Sequence, residues 1–516
     1  MAIVSGSRTL RVLAIAGYLT FLNAATKPGS DRFRLFISDT HFGPGKVDGH
    51  WHNYEDARWA PEFAAFLEEM DRMGQGKADL IMNGDTFELW QSLDPNDCTV
   101  AVNKNLGCSE DGALKRLRRV LSSHQPELDA ISKFAKSGDN KVIIVPGNHD
   151  AVLLFKAIAQ EVLRAINAPA ERLRIAGEGY WLSPDSLIYA EHGHQIGKEV
   201  NKFDNWPTPF IQYKGVTYLQ RPWGEQFVQR IYNSFEVKYP IIDNLSENVI
   251  GVKYCIKAEG PGAVPKDIGR FVWFYLTKIS WSQLKSTLGG DKENPEWNVE
   301  AIRQMGNRFL ADSVPRDDAV HSAAQEQVDQ GTFGFSLADL SDDDITEICN
   351  LRQRLFDVTP GGEQPQVVPC PKKNLGAIAQ ALFSSRSEVF EKHFDDTYAR
   401  LDAAHQVERA FLLYVYSHTH RSDPGFYPLQ ASKRTWNPFV VNTGAWQRTV
   451  TPDQLRVIQK ARNLNDKHVL TLQPEDLPAC YPVILVEPYQ SEPKSKLRFW
   501  RKKDDSWSLG GSCDVL

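Results

Sequence analysis

The chain has 516 residues, 42% of them hydrophobic and 24% charged, a composition that excludes wholesale disorder, collagen and coiled coil and fits two or three domains or one elaborated domain. The net charge of −6 supplies no global basic field for wrapping nucleic acid. Seven cysteines, at 98, 108, 255, 349, 370, 480 and 513, are odd in number and contain no CxxC pair, which argues against a thiolate zinc site or a disulfide scaffold.

Residues 1–30 carry Arg8 and Arg11 and an apolar run from Val12 to Leu22, without an acid before Asp31. Two readings stand side by side, a signal or anchor segment and a frayed N-terminal helix. The compartment, cytoplasmic or exported, stays open, as does pairing of Cys98 with Cys108 across an Asn-rich loop.

From Arg32 the chain alternates strand-like and helix-like patterns. Phe33 to Ser38 is strand-like and runs into Asp39, and residues 60–73 carry Phe63, Phe66, Leu67 and Met70 at helical spacing. Leu80 to Met82 ends in Asn83-Gly84-Asp85, residues 112–135 are helical by periodicity, and Lys141 to Val145 ends in Pro146-Gly147-Asn148-His149-Asp150. A helix is expected over 151–166, with Asp150 as its cap. Short apolar runs that end in glycine and polar residues, separated by helices, predict an α/β fold with functional loops at the carboxyl ends of its strands.

Residues 201–404 read as mainly helical, rich in aromatics, and form an expected insertion into one catalytic domain spanning 31–200 and 405–505. Within it, Phe271 to Leu276, Ile279 and Trp281 predict a buried helix, with a surface that meets lipid or a partner as the alternative. The acid-rich Ser341 to Glu347 reads as a solvated helix start, and Arg221 and Asn244 lie in turn-like segments that could approach the mouth of a site. Strand-like runs resume at Phe411 to Tyr416, Phe439 to Val441, Pro482 to Val486 and Leu497 to Trp500.

Five strand-end segments supply oxygen and nitrogen donors: Asp39-Thr40-His41, Gly84-Asp85, Gly147-Asn148-His149-Asp150, His192-Gly193-His194 and His418-Thr419-His420. Imidazole and carboxylate without thiolate suit manganese, zinc, iron or nickel better than a structural zinc. In order and spacing this series resembles the calcineurin-like metallophosphoesterases, whose pattern is D-x-H, G-D, G-N-H-D or G-N-H-E, an isolated H, and G-H-x-H. Ser417 stands where that family usually has the glycine of its last motif.

The resemblance covers about 30–200 and 405–450 and implies a layered α-β-β-α sandwich with the mainly helical insertion as a cap. It implies two divalent metal ions (Mn, Zn, Fe, Ni or Co), one bound by Asp39, His41 and His420, the second by Asn148, His192 and His418, with Asp85 bridging. His149 would stand over the leaving group as proton donor and Glu88 would orient it. The implied activity is hydrolysis of a phosphoester or pyrophosphate bond by a metal-activated hydroxide, on a phosphorylated small-molecule or lipid-linked substrate. Leu89 occupies the position where the family's protein phosphatases carry arginine, and Gly84 to Trp90 looks more like the branch that includes UDP-2,3-diacylglucosamine pyrophosphohydrolases. A nuclease of the same fold is an alternative that the negative charge and missing basic stripe disfavour. A metal-binding scaffold without catalysis is the alternative from another class. His194 is left between a contact to substrate and a hydrogen-bonded histidine on a tight loop, and Asn442-Thr443-Gly444 reads as a structural turn beside the site.

Overall fold

The computed structural model describes residues 29–513 except 95–97, 99–105, 197–200, 223, 226–227, 230–232, 246–389, 391–392, 407–409, 429–435, 466–470 and 504. The N-terminal apolar run, the stretch from Phe271 to Trp281 and Ser341 to Glu347 lie outside the described residues. No helix among the described residues is long and apolar enough to cross a membrane.

The fold is mixed α/β. Its strands are β1 Phe33–Ile37, β2 Lys46–Val47, β3 His50–Trp51, β4 Ala78–Asn83, β5 Leu106–Ser109, β6 Lys141–Val145, β7 Leu173–Ile175, β8 Trp181–Leu182, β9 Ile188–Ala190, β10 Phe210–Tyr213 and β11 Val216–Gln220. Further along the chain come β12 Leu413–Tyr416, β13 Ser422–Phe426, β14 Phe439–Thr443, β15 Cys480–Val486, β16 Ser495–Lys503 and β17 Ser506–Gly510. A seven-stranded sheet has the order β17-β16-β15-β1-β4-β6-β7, and a five-stranded sheet has the order β13-β14-β12-β9-β8. In the first, β1, β4, β6 and β7 are parallel; in the second, β9, β12 and β14 are.

Period-two alternation explains the layering. In β1, Phe33, Leu35 and Ile37 face one apolar cluster, shared with helices α1 Ala60–Gly74, α2 Glu110–Ser123, α3 Gln125–Lys136 and α4 Lys156–Ile166. Phe36, Ile81, Ile143, Val145 and Ile484 point to the opposite face, where they meet Ile188, Ala190, Leu413, Val415 and Val441 of the second sheet. The outer face of that second sheet is covered by Phe390, Phe394 and Leu401.

Register levels the strand ends. Ile37 lies opposite Met82, Asn83 opposite Val145, and Ala190 opposite Val415. The loops that follow therefore open at one end of the molecule, where parallel α/β sheets present their functional groups.

Three expectations need correction. The helical stretch over 112–135 is two helices that meet at His124, whose buried ring pairs with Glu55 at 3.0 Å and Glu127 at 3.4 Å. Asp150 makes no side-chain cap, and the stretch after it is a 3₁₀ turn, Ala151–Leu154, followed by α4. Its carboxylate is instead drawn to three backbone N–H groups, of Gly147 (2.6 Å), Thr86 (2.8 Å) and Phe87 (3.3 Å), so it clamps two loops together. The early part of the segment read as mainly helical contains the β10–β11 hairpin, with β11 paired to β5, and only then a short helix, α5 Asn233–Lys238. Cys98 and Cys108 form a disulfide that closes the loop before α2, and Cys480 at the start of β15 forms another with Cys513, which follows β17.

Against burial, the Glu55 and Glu127 carboxylates hold the His124 imidazolium up to about 10 rather than its ordinary 6.5. A raised folded-state pKa stabilises in full below about 6.5, and the contribution is lost as pH rises towards 10. His124→Gln should therefore cost about 3 kcal/mol near pH 6, because it leaves buried carboxylates without their cation. Urea denaturation of both chains should show the difference narrowing between pH 7 and 10; a difference that widens would contradict the pairing.

Candidate metal centre

The loops at the strand ends turn sharply. Asp39 (φ 49°), His41 (φ 44°), Asp85 (φ 50°), His418 (φ 71°) and His420 (φ 55°) all adopt the left-handed backbone region. Each such residue costs on the order of 1 kcal/mol or more and persists only where its surroundings hold it. Here they are held by neighbouring loops: Asp39 N–H donates to Gly84 O (3.0 Å), His41 N–H to Asp85 O (3.1 Å) and Phe42 N–H to Thr86 O (2.9 Å). Gly84 is required at this crossing, since a Cβ there would lie 2.2 Å from His192 Nδ1 and its φ is +93°.

The side chains converge. Asp39, His41 and His420 form one group able to hold a metal ion, and Asp85, His192 and His418 form another, each with its donor atoms within 4.8 Å of one another. Asn148 Oδ1 and Asp85 Oδ2 each lie 2.9 Å from His192 Nε2, and His420 Nε2 is 3.3 Å from Asp39 Oδ1. All seven residues singled out as ligands in the sequence are thus in this cluster. Asp39, Asp85, Asn148 and His192 are fully buried, while His418 and His420 are half-buried at the rim.

The donor set fits a cation. Both carboxylate oxygens of Asp39 and Nε2 of His41 are buried without a hydrogen-bond partner, a state that is expensive unless something positive satisfies them. Burial disfavours a charge on His41, but the Glu88 hydrogen bond and charge, with Asp85 and Asp39, hold its imidazolium up to about 10. Asp85 and Asp39 likewise hold His192 up to about 9 against burial. His418 goes the other way, to about 3, through burial and the neighbouring His192.

Glu88 does more than the sequence indicated. Its Oε2 lies 2.5 Å from His149 Nδ1 and 2.9 Å from His41 Nδ1, so one oxygen orients two imidazoles. Its Oε1 accepts from the backbone N–H groups of Trp90 (2.8 Å) and Gln91 (2.9 Å). Despite burial, His149 and His41 keep Glu88 far below the usual carboxylate range. Trp90 stacks on the His149 ring, with centroids 4.0 Å apart and planes 23° apart, and His41 meets the same ring edge-on at 4.7 Å. No local pattern in the sequence announces that stacking.

Other residues shape the rim. Ser417 Oγ lies 2.7 Å from Asn83 O and 2.9 Å from His192 O, contacts that a glycine could not make. Asn201 Nδ2 sits 3.1 Å from His418 Nε2. His194 is buried with neither ring nitrogen hydrogen-bonded, packed edge-on against Trp206 at 4.4 Å, so the hydrogen-bonded reading of it does not hold. Arg221 is buried, ion-paired with Glu225 at 3.4 Å and bonded to Cys98 O at 2.5 Å. Asn442 Nδ2 donates to Thr419 Oγ1 (3.0 Å) and its Oδ1 accepts from Gly444 N–H (2.8 Å), a turn that braces the His418 loop.

No family model, curated protein or solved structure matches the chain.

Because His41 and His192 carry protons up to about 10 and 9 without metal, a divalent cation must displace them. Calorimetric titration of the metal-free chain near pH 7.5, in buffers of different ionisation enthalpy, should register about two protons released per chain, with affinity rising from pH 6 to 8. Release of none would show that these histidines do not bind metal. Gly84→Ala should weaken metal binding at least tenfold by pushing His192 aside.

Proposed function

We propose that the protein is a metal-dependent hydrolase of phosphoester or pyrophosphate bonds, of the calcineurin-like metallophosphoesterase type. The observation that carries this reading is the convergence of Asp39, His41, Asp85, Asn148, His192, His418 and His420 around buried, unsatisfied donor atoms, with a histidine outside that set, His149, held at their edge by Glu88. The two facing sheets with helices on their outer sides support the α-β-β-α sandwich of that family, and part of 201–404 would cap it.

Asp39, His41 and His420 would hold one divalent cation and Asn148, His192 and His418 the second, with the Asp85 carboxylate between them. Such a pair, of manganese, zinc, iron, nickel or cobalt, lowers the pKa of a shared water and stabilises charge on phosphoryl oxygens in the transition state. The chain's own contribution lies in His149. With Nδ1 fixed on Glu88, Nε2 is the ring nitrogen left to hand a proton to the departing oxygen. Trp90 restricts rotation of that ring by stacking, and the Glu88 carboxylate, kept ionised, fixes its direction. The chain's negative charge and missing arginine after Glu88 favour a small or lipid-linked phosphate substrate over nucleic acid or phosphoprotein.

The deciding experiment is hydrolysis of nitrophenyl phosphate, bis-nitrophenyl phosphate, alkyl phosphates and alkyl diphosphates by metal-free protein, with Mn, Zn, Fe, Ni, Co and Mg added singly. A chain that binds metal stoichiometrically and hydrolyses none of these esters or diphosphates would sink the reading in favour of a scaffold. His149→Ala should cost ~10²–10⁴-fold on an alkyl phosphate and much less on a nitrophenyl ester, with metal content unchanged. Asp85→Ala should lose both metals, a larger deficit by elemental analysis than His420→Ala.

A further inference from the structure

Beside the histidine centre lies a second group of acids that the phosphoesterase reading does not use. Asp56 follows β3, Glu236 stands on α5 and Asp243 lies just beyond it, and one oxygen of each falls within 4.8 Å of the others. Asp56 is 6% and Glu236 1% exposed, while Asp243 is half-buried and opens the group towards solvent.

A cluster of acids alone means little. Here a second observation points to a ligand. Gln447, 0% exposed, reaches into the group with its Nε2 3.1 Å from Asp56 Oδ2, yet its Oε1 has no hydrogen-bond partner. Glu236 accepts from Gln91 Nε2 through Oε2, while its buried Oε1 has no partner. Asn244, 1% exposed and next in chain to Asp243, has neither amide atom bonded. The buried oxygens of Glu236 and Gln447 left unsatisfied beside the three acids are what a cation would complete.

We propose that Asp56, Glu236 and Asp243, with the Gln447 carboxamide oxygen, form a binding site for a hard divalent cation of the calcium class. The donors are all oxygen, with no imidazole or thiolate, which selects calcium over zinc or iron. The spacing is compatible with it: calcium–oxygen distances of about 2.3–2.6 Å allow donors on opposite sides of the ion to stand up to about 5 Å apart. Without a cation the acids repel: burial and Asp243 push Asp56 up to about 8, and burial with Asp243 and Asp56 pushes Glu236 well above its ordinary value.

The site would pin α5 and the segment after it to the framework at a sensitive place. Gln91, which bonds Glu236, also donates its backbone N–H to Glu88 Oε1, and Asn53 Nδ2 donates to Val237 O at 2.8 Å. Calcium there would order the start of the inserted segment next to the residue that orients His149.

The test uses the full chain, stripped with chelator, and calcium alone as probe. Isothermal titration should find calcium bound, and melting should show a rise in Tm on adding it. Asp56→Asn with Glu236→Gln should lose one equivalent of calcium and most of that rise while keeping the metal-free Tm, because Asn and Gln keep a carbonyl oxygen to accept from Gln447 and Gln91. The same double variant should keep its manganese response, whereas His420→Ala should lose part of the manganese response and keep the calcium one. Absence of calcium binding in the unaltered chain, or equal calcium stoichiometry in the double variant, would overturn the proposal. A double variant whose metal-free Tm drops by more than a few degrees would also count against it, since the acids would then be serving protein partners.

Discussion

Glu88 Oε2 accepts from two imidazoles at once, His149 and His41, and the orientation of both rings depends on that carboxylate staying ionised. A carboxylate in that position couples two tasks. The ring it holds at His41 turns its other nitrogen, Nε2, towards Asp39 and Asp85 at 4.0 Å from each, while the ring it holds at His149 stands outside the donor set. Outer partners of this kind fix both the tautomer and the direction of a metal-binding histidine. The Trp90 and Gln91 backbone N–H groups hold the other oxygen, so the carboxylate cannot swing without unmaking a loop.

The levelled ends of parallel strands explain why donors so distant in sequence meet. Asp39, Asp85 and Asn148 follow β1, β4 and β6 of one sheet; His192 and His418 follow β9 and β12 of the other. The shared apolar interior of the two sheets sets the distance between these rows, and small residues permit the close crossing of their loops. Gly84 admits the His192 ring, and Gly147, whose added Cβ would fall 2.1 Å from Asp85 Oδ1, admits the central carboxylate.

Much of this was legible in the sequence because its causes are local. An apolar run of five or six residues that breaks into Gly-Asp or Gly-Asn-His carries both the strand and the donor that follows it, as at β4 and β6. What escaped depends on contacts made across the chain. The break at His124 arises from capture of its ring by Glu55 and Glu127, which no helical periodicity records. Asp150 has the residue type of a cap, but three N–H groups from two loops compete for it and win. The β10–β11 hairpin does leave a local trace: Lys214-Gly215, between two short runs that pair, both take positive φ (49° and 78°), as a two-residue turn requires, a signal masked by the aromatic content around it.

The pairing of β1 with β15 joins Arg34 to Val486 and Phe36 to Ile484, nearly the whole length of the described chain apart. A ribosome delivers β1 early and β15 late. Until Cys480–Val486 emerges, the edge of Phe33–Ile37 away from β4 has no native neighbour, an exposed template for strand addition by other nascent chains. Such a topology favours slow, late completion of the central sheet and makes aggregation during synthesis, rather than weakness of the finished fold, the hazard that this architecture carries.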